Sequence, residues 1–158
     1  MTKNCSGDAD TEIVKTAITQ SRENLNPVLV VSDDTDIAVL LLYHWQNDMS
    51  DIFLLQERTK QWWSIKKSQF GIKEVKEHLL FLHAWSGCDS CSSTFGKGKG
   101  HIVKVLKSSS ELQVVSKVFL NPQSTQNQIG NASTTAFRIV YGRSQNETLP
   151  QIRYHICI

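Results

Sequence analysis

The chain has 158 residues, 40% of them hydrophobic, with 17 basic against 15 acidic side chains and a formal net charge of +2. That length and apolar share fit one folded domain of ordinary size and exclude an intrinsically disordered chain. The near balance of charge excludes reading a nucleic-acid partner from net charge, so only local placement of basic residues can argue for one.

Ile13, Val14, Ala17 and Ile18 recur at helical spacing and predict a helix over Asp10–Arg22, with Asp8 and Asp10 at its start. Asn26-Pro27 breaks the pattern. Val28–Val31 is an unbroken apolar run, as in a strand buried on both faces, and Ser32-Asp33-Asp34-Thr35-Asp36 ends it. Ile37–Trp45 is apolar and long enough for a helix. Asp51–Gln56 and Gln61–Lys66 read as two strands joined by a polar stretch, and Trp62 and Trp63 alternate there, which puts at least one in the core.

Gly71–Ser86 reads as one amphipathic helix with Val75, Leu79 and Leu82 inward, closed by Gly87. A short helix over His101–Leu106 and a longer one after Ser109 or Ser110 follow, the latter with Leu112, Val115 and Phe119 inward. Gln123–Gly130 reads as a polar loop or helix start, Ala132–Tyr141 as a last helix, and the tail is ambiguous. Helices alternating with apolar strands predict an α/β layer fold with a largely parallel sheet. In such sheets functional groups gather at the carboxyl ends of strands, where Asp33–Asp36 falls.

The longest apolar stretch, Val28–Leu42, is interrupted by Asp33, Asp34 and Asp36, so no membrane span is expected. The chain opens without a basic-plus-apolar leader, and its four cysteines (Cys5, Cys88, Cys91, Cys157) do not form a disulfide framework. An intracellular, reducing compartment is the expectation, and the sequons at Asn4, Asn131 and Asn146 then read as chance.

Asp33, Asp34 and Asp36 admit two readings. One is a solvated acidic turn in which an aspartate caps the next helix. The other is a metal site, because clustered carboxylates repel one another and a hard divalent cation removes that penalty. Asp8 and Asp10 carry the same ambiguity, since acidic groups favour helix N-termini. Asp89 follows a glycine after a helix, where an aspartate also forms turns. Gly96-Lys97-Gly98-Lys99-Gly100 is either a flexible turn or a phosphate-backbone seat. Cys88-x-x-Cys91 with His83 and His101 is at most a weak zinc candidate, and no nucleophile elbow accompanies His83 to make a hydrolase triad.

Taken in order, these segments resemble the flap-endonuclease-like PIN nucleases, in particular members found in animal genomes near transposable-element sequence. The matching stretches are GDADTEIVKTA (7–17), VLVVSDDTDIAVLLLYHW (28–45), FLHAWSGCDSCSSTFGKGKGHIVKVL (81–106) and, weakly, FRIVYG (137–142). The resemblance implies a PIN-like α/β domain over residues 1–158, with a helix-two-turn-helix-like DNA-backbone region at 87–107. It implies Asp8, Asp10, Asp34, Asp36 and Asp89 as ligands of two Mg²⁺ or Mn²⁺ ions, with Asp34, Asp36 and Asp89 at the catalytic centre. Gly96, Lys97, Gly98, Lys99 and Gly100 would hold DNA. The implied activity is structure-selective, metal-dependent phosphodiester cleavage, and the implied location is nuclear. Family members open with a central strand bearing another metal-binding aspartate, which this chain does not match, and Asp8 stands where they usually carry Glu. The alternative expectation is therefore an inactive relative that binds nucleic acid or protein.

Overall fold

The computed structural model describes residues 7–88, 92–144 and 146–157. They fall into two compact units, one ending at Lys76 and one beginning at Glu77.

The first unit is α/β. Its helix α1 (Ala9–Glu23) is followed by strand β1 (Val28–Val31), helix α2 (Thr35–His44), strands β2 (Ile52–Gln56) and β3 (Gln61–Ser64), and helix α3 (Ile65–Ile72). The sheet order is β1-β2-β3. β1 pairs with β2 in parallel, Val28 opposite Ile52 and Val31 opposite Leu55. A parallel pair needs a crossover, and α2 supplies it. β2 and β3 form an antiparallel hairpin with Phe53 opposite Ser64. The α/β expectation holds, whereas the expected largely parallel sheet is only half parallel: one of the two pairings in the described residues runs antiparallel.

The core of this unit lies under one face of the sheet. Val30, Ile52 and Leu54 meet Val14 and Ala17 of α1, Ile37, Ala38 and Leu41 of α2, and Trp45, Met49 and Ile65. The opposite face stays open: Leu29 and Val31 are each about half exposed, and Trp62 is 60% exposed. β1 is therefore not buried on both faces. Neither tryptophan of β3 enters the core, because Trp63, 40% exposed, lies on the sheet's edge strand.

The expected helix Gly71–Ser86 is not continuous. α3 starts earlier, with Ser64 as its N-cap, and Asp51 pins the corner by accepting from the Ser64 hydroxyl and the Lys66 amide. The Val75 amide bonds to the Ile72 carbonyl, which tightens and ends the last turn. A single 3₁₀ turn at Lys76–His78 follows.

The described residues of the second unit are largely helical: α4 (Leu79–Ser86), α5 (Lys99–Ser108), α6 (Ser110–Leu120), α7 (Gln126–Tyr141) and α8 (Leu149–Cys157). Leu82, Ile102, Leu106, Leu112, Ala136, Val140 and Ile152 are buried in it. The Trp85 ring meets Phe81, Phe119 and Phe137 at centroid distances of 5.2, 5.5 and 4.9 Å. α7 begins at Gln126, inside the stretch read as a polar loop or helix start, because Thr125 and Gln128 form a reciprocal capping box. Gly87, with φ of 94°, closes α4, and a Cβ there would stand 2.7 Å from that of Ser93.

His78 is buried beside Ser116, Nδ1 to Oγ 2.6 Å. The serine proton goes to the Gln113 carbonyl, which leaves the hydroxyl oxygen to accept from Nδ1–H of the neutral ring. Burial, more than the opposing influence of Glu77, holds the His78 pKa below its ordinary 6.5. A histidine depressed in the folded state favours folding while neutral, so its contribution is present above the unfolded value and is lost as pH falls through it. In urea titrations the wild type should gain more stability between about pH 5 and 7.5 than His78→Gln does. Equal gains would contradict this placement.

Candidate functional site

The first unit is organised around Ser50. The hydroxyl of Ser21, near the end of α1, donates to the Ser50 carbonyl at 2.6 Å, and the Ser50 amide returns a bond to the Ser21 carbonyl at 2.9 Å. The indole Nε1–H of Trp45, the residue that ends α2, donates to the same Ser50 carbonyl at 2.9 Å. Ser21 and Trp45 are each 1% exposed, so these bonds are sheltered from water. Buried polar groups of this kind cost about 1–3 kcal/mol each if left unsatisfied.

This junction fixes helix direction. Both helices have their carboxyl ends at Ser50, next to the start of β2, so both run antiparallel to β1 and parallel to each other. Their amino ends consequently lie at the carboxyl end of β1. Asp8 stands about 20 Å along α1 from Ser21, and Asp34 about 16 Å along α2 from Trp45, at 1.5 Å of rise per residue. Packed helix axes lie about 8–10 Å apart. Two acidic pairs far apart in sequence, Asp8 with Asp10 and Asp34 with Asp36, are thereby brought to one end of the unit.

Each pair is built into a helix start. Asp8 is the N-cap of α1, and its Oδ2 accepts from the Thr11 amide at 3.0 Å and the Thr11 hydroxyl at 2.6 Å. The Thr11 hydroxyl, then the Thr11 amide, lower the pKa of this exposed carboxyl. Asp10 lies in the first turn. Asp34 is the N-cap of α2 and accepts from the Asp36 amide through Oδ1 at 2.8 Å, while its own amide is held by the Ser32 hydroxyl. Asp33 faces another way and accepts the Arg58 amide at 3.1 Å, tying the end of β1 to the β2–β3 turn. The capping reading thus describes Asp8 and Asp34 as they stand, and helix N-termini offset part of the mutual repulsion of the carboxylates.

Asp89 and Cys91 lie outside the described residues. Of the Gly96–Gly100 stretch, Gly96 adopts φ of 66°, and Lys97 completes a turn in which its amide bonds to the Thr94 carbonyl. Gly98 caps α5 without a side chain, and Lys99 and Gly100 form the helix's first residues. The Lys97 ammonium sits 5.6 Å from the Tyr141 ring centroid, and the Tyr141 hydroxyl donates to the Phe95 carbonyl. His101 is held by the Val140 carbonyl at 3.0 Å, which commits one ring nitrogen away from any zinc. No described helix is long and apolar enough to cross a membrane.

No protein-family model matches the chain, and no curated protein or solved structure matches it significantly.

Because Asp34 caps α2, two substitutions separate structure from charge. Asp34→Ala should cost about 1 kcal/mol of stability, the usual value of a lost cap, whereas Asp34→Ser, which keeps an acceptor oxygen, should cost only a few tenths. Chemical denaturation of the three proteins reads this directly. Equal losses in both variants would show that the capping bond contributes nothing.

Proposed function

We propose that the chain carries the metal-site half of a flap-endonuclease-like, PIN-like nuclease that cleaves DNA phosphodiesters. The observation that supports this most is the joint placement of Asp8, Asp10, Asp34 and Asp36 at the carboxyl end of β1, the end where open α/β sheets place their sites. In this reading Asp8, Asp10, Asp34, Asp36 and Asp89 hold Mg²⁺ or Mn²⁺. The donor set suits those ions, because every candidate ligand is a carboxylate and hard oxygen donors select hard divalent cations. Asp34 spends Oδ1 on its cap and retains Oδ2 as a donor.

When bound, such ions supply Lewis acidity that activates water and stabilises the leaving oxygen. The chain's own groups do the rest. Asp34 and Asp36, one on the cap and one in the first turn of the same helix, fix the spacing of two carboxylates. The start of α5 offers backbone N–H groups not occupied by a capping side chain, and with Lys97 and Lys99 it would seat strand phosphates without reading sequence. The outer edge of β1 is unpaired among the described residues, which leaves room for a further strand. A nuclear location belongs to the same proposal.

A second reading has an observation of its own. Asp8 and Asp34 already serve as caps, and that role needs no cation; it favours an inactive relative that binds nucleic acid through the Gly96–Gly100 turn.

With branched DNA and Mn²⁺, the wild type should cleave, and Asp36→Asn, which disturbs no cap, should fall to background. Cleavage that persists in Asp36→Asn would rule out the ligand set. Binding without cleavage by the wild type would favour the second reading.

A further inference from the structure

At the opposite end of the first unit, a cleft of about 480 Å³ opens between the segment after α2 and the length from α3 to Lys76. Lys66, Lys73 and Lys76 line it together with the amides of Gln46 and Asn47 and the ring of Phe70, and no carboxylate is among its lining side chains. Gln46 directly follows Trp45, so the cleft belongs to the Ser50 end of the unit, away from the acidic pairs.

Its walls are fixed. The Gln69 amide donates to the Leu42 carbonyl at 2.9 Å, and the Lys76 ammonium donates to the Trp45 carbonyl at 2.6 Å, so the segment from α3 to Lys76 is tied to the end of α2 at two points. Phe70 does not take part in that packing: it is 86% exposed on the turn of helix between Lys66 and Lys73. An exposed phenyl forgoes the stabilisation of burial, about 1.5–3 kcal/mol for a side chain of this size. Lys66 and Lys73 leave exposed positive charge in the same concavity. A flat ring carrying negative charge would cover the phenyl and answer that charge.

We infer that this cleft binds a nucleotide, with the base stacked on Phe70, the phosphate between Lys66 and Lys73, and the Gln46 and Asn47 amides at the base edge. Stacking on an aromatic side chain tolerates any base, and lysines track the phosphate backbone, which is how single strands are held without sequence preference. Burial lowers the pKa of Lys76, and an anion nearby would oppose that shift. The ligand is either a free nucleotide or one residue of a single strand. This inference does not rest on the metal-site reading, because its residues, its end of the unit and its chemistry all differ.

The test is fluorescence anisotropy of a labelled oligothymidylate of about ten nucleotides, a length within the span of known single-strand sites, in EDTA so that no cation contributes. The wild type should bind, more weakly as salt rises. Phe70→Ala should weaken binding by about 5- to 100-fold, the usual loss of one stacked base. Lys66→Glu/Lys73→Glu should weaken it at least about tenfold and flatten the salt dependence. All three positions are exposed, and thermal melts of the variants check that the fold is kept. Full displacement by thymidine monophosphate would identify a nucleotide site, and displacement only by longer strands a strand site. The inference is overturned if the wild type does not bind or if the cleft variants bind as the wild type does. It is also overturned if loss follows Lys97→Ala/Lys99→Ala alone, or if anionic vesicles are bound in preference to the oligonucleotide.

Discussion

Ser50 receives the carboxyl ends of two helices, and the layout of the first unit follows from that. Its carbonyl accepts from the Ser21 hydroxyl and from the Trp45 indole, and its amide reaches back to the Ser21 carbonyl. Once α1 and α2 are tied there, both must run antiparallel to β1. Their amino ends, with Asp8, Asp10, Asp34 and Asp36, then lie at the other end. The parallel pairing of β1 with β2 imposes the same direction on α2, because only a crossover returns the chain to a parallel strand. Loosening the Ser50 junction would therefore unsettle the acidic end without touching it.

That acidic end is held together by two influences that need no ion. Helix N-termini face the carboxylates, and the caps at Asp8 and Asp34 anchor them by short hydrogen bonds. Both caps are complete without an ion. The basic cleft at the opposite end has the reverse character. There Phe70 is exposed beside Lys66 and Lys73, and no carboxylate is among the lining side chains.

Much of this was legible in the residues. The helical spacing of Ile13, Val14, Ala17 and Ile18, the apolar run at Val28–Val31 and the acidic turn after it each gave the observed element within a residue or two. The hairpin was signalled by polar residues 57–60, where Lys60 adopts φ of 55°. Other features depended on contacts that local pattern does not carry. Ser21 and Ser50 are ordinary surface residues by type, and only the fold buries their bond. Gly71–Ser86 has continuous helical periodicity, yet α3 ends at Ile72 and a 3₁₀ turn separates it from α4. Polarity left Gln123–Gly130 open between a loop and a helix start, and the capping signal Thr125-x-x-Gln128 is what decides for the helix. The basic cleft escaped notice because Lys66 reads as strand. Only a helix starting at Ile65 lines it up with Phe70 and Lys73.

The proposed metal site needs the aspartates of two helix starts to act together on bound divalent cations. Substoichiometric Mn²⁺ added to isotopically labelled protein tests it most directly, because the paramagnetic ion broadens the amide signals nearest to it first. The account predicts that signals around Asp8–Glu12 and around Ser32–Asp36 fade together, before any others in the first unit. Fading confined to one of the two segments, or spread evenly over the surface, would contradict it.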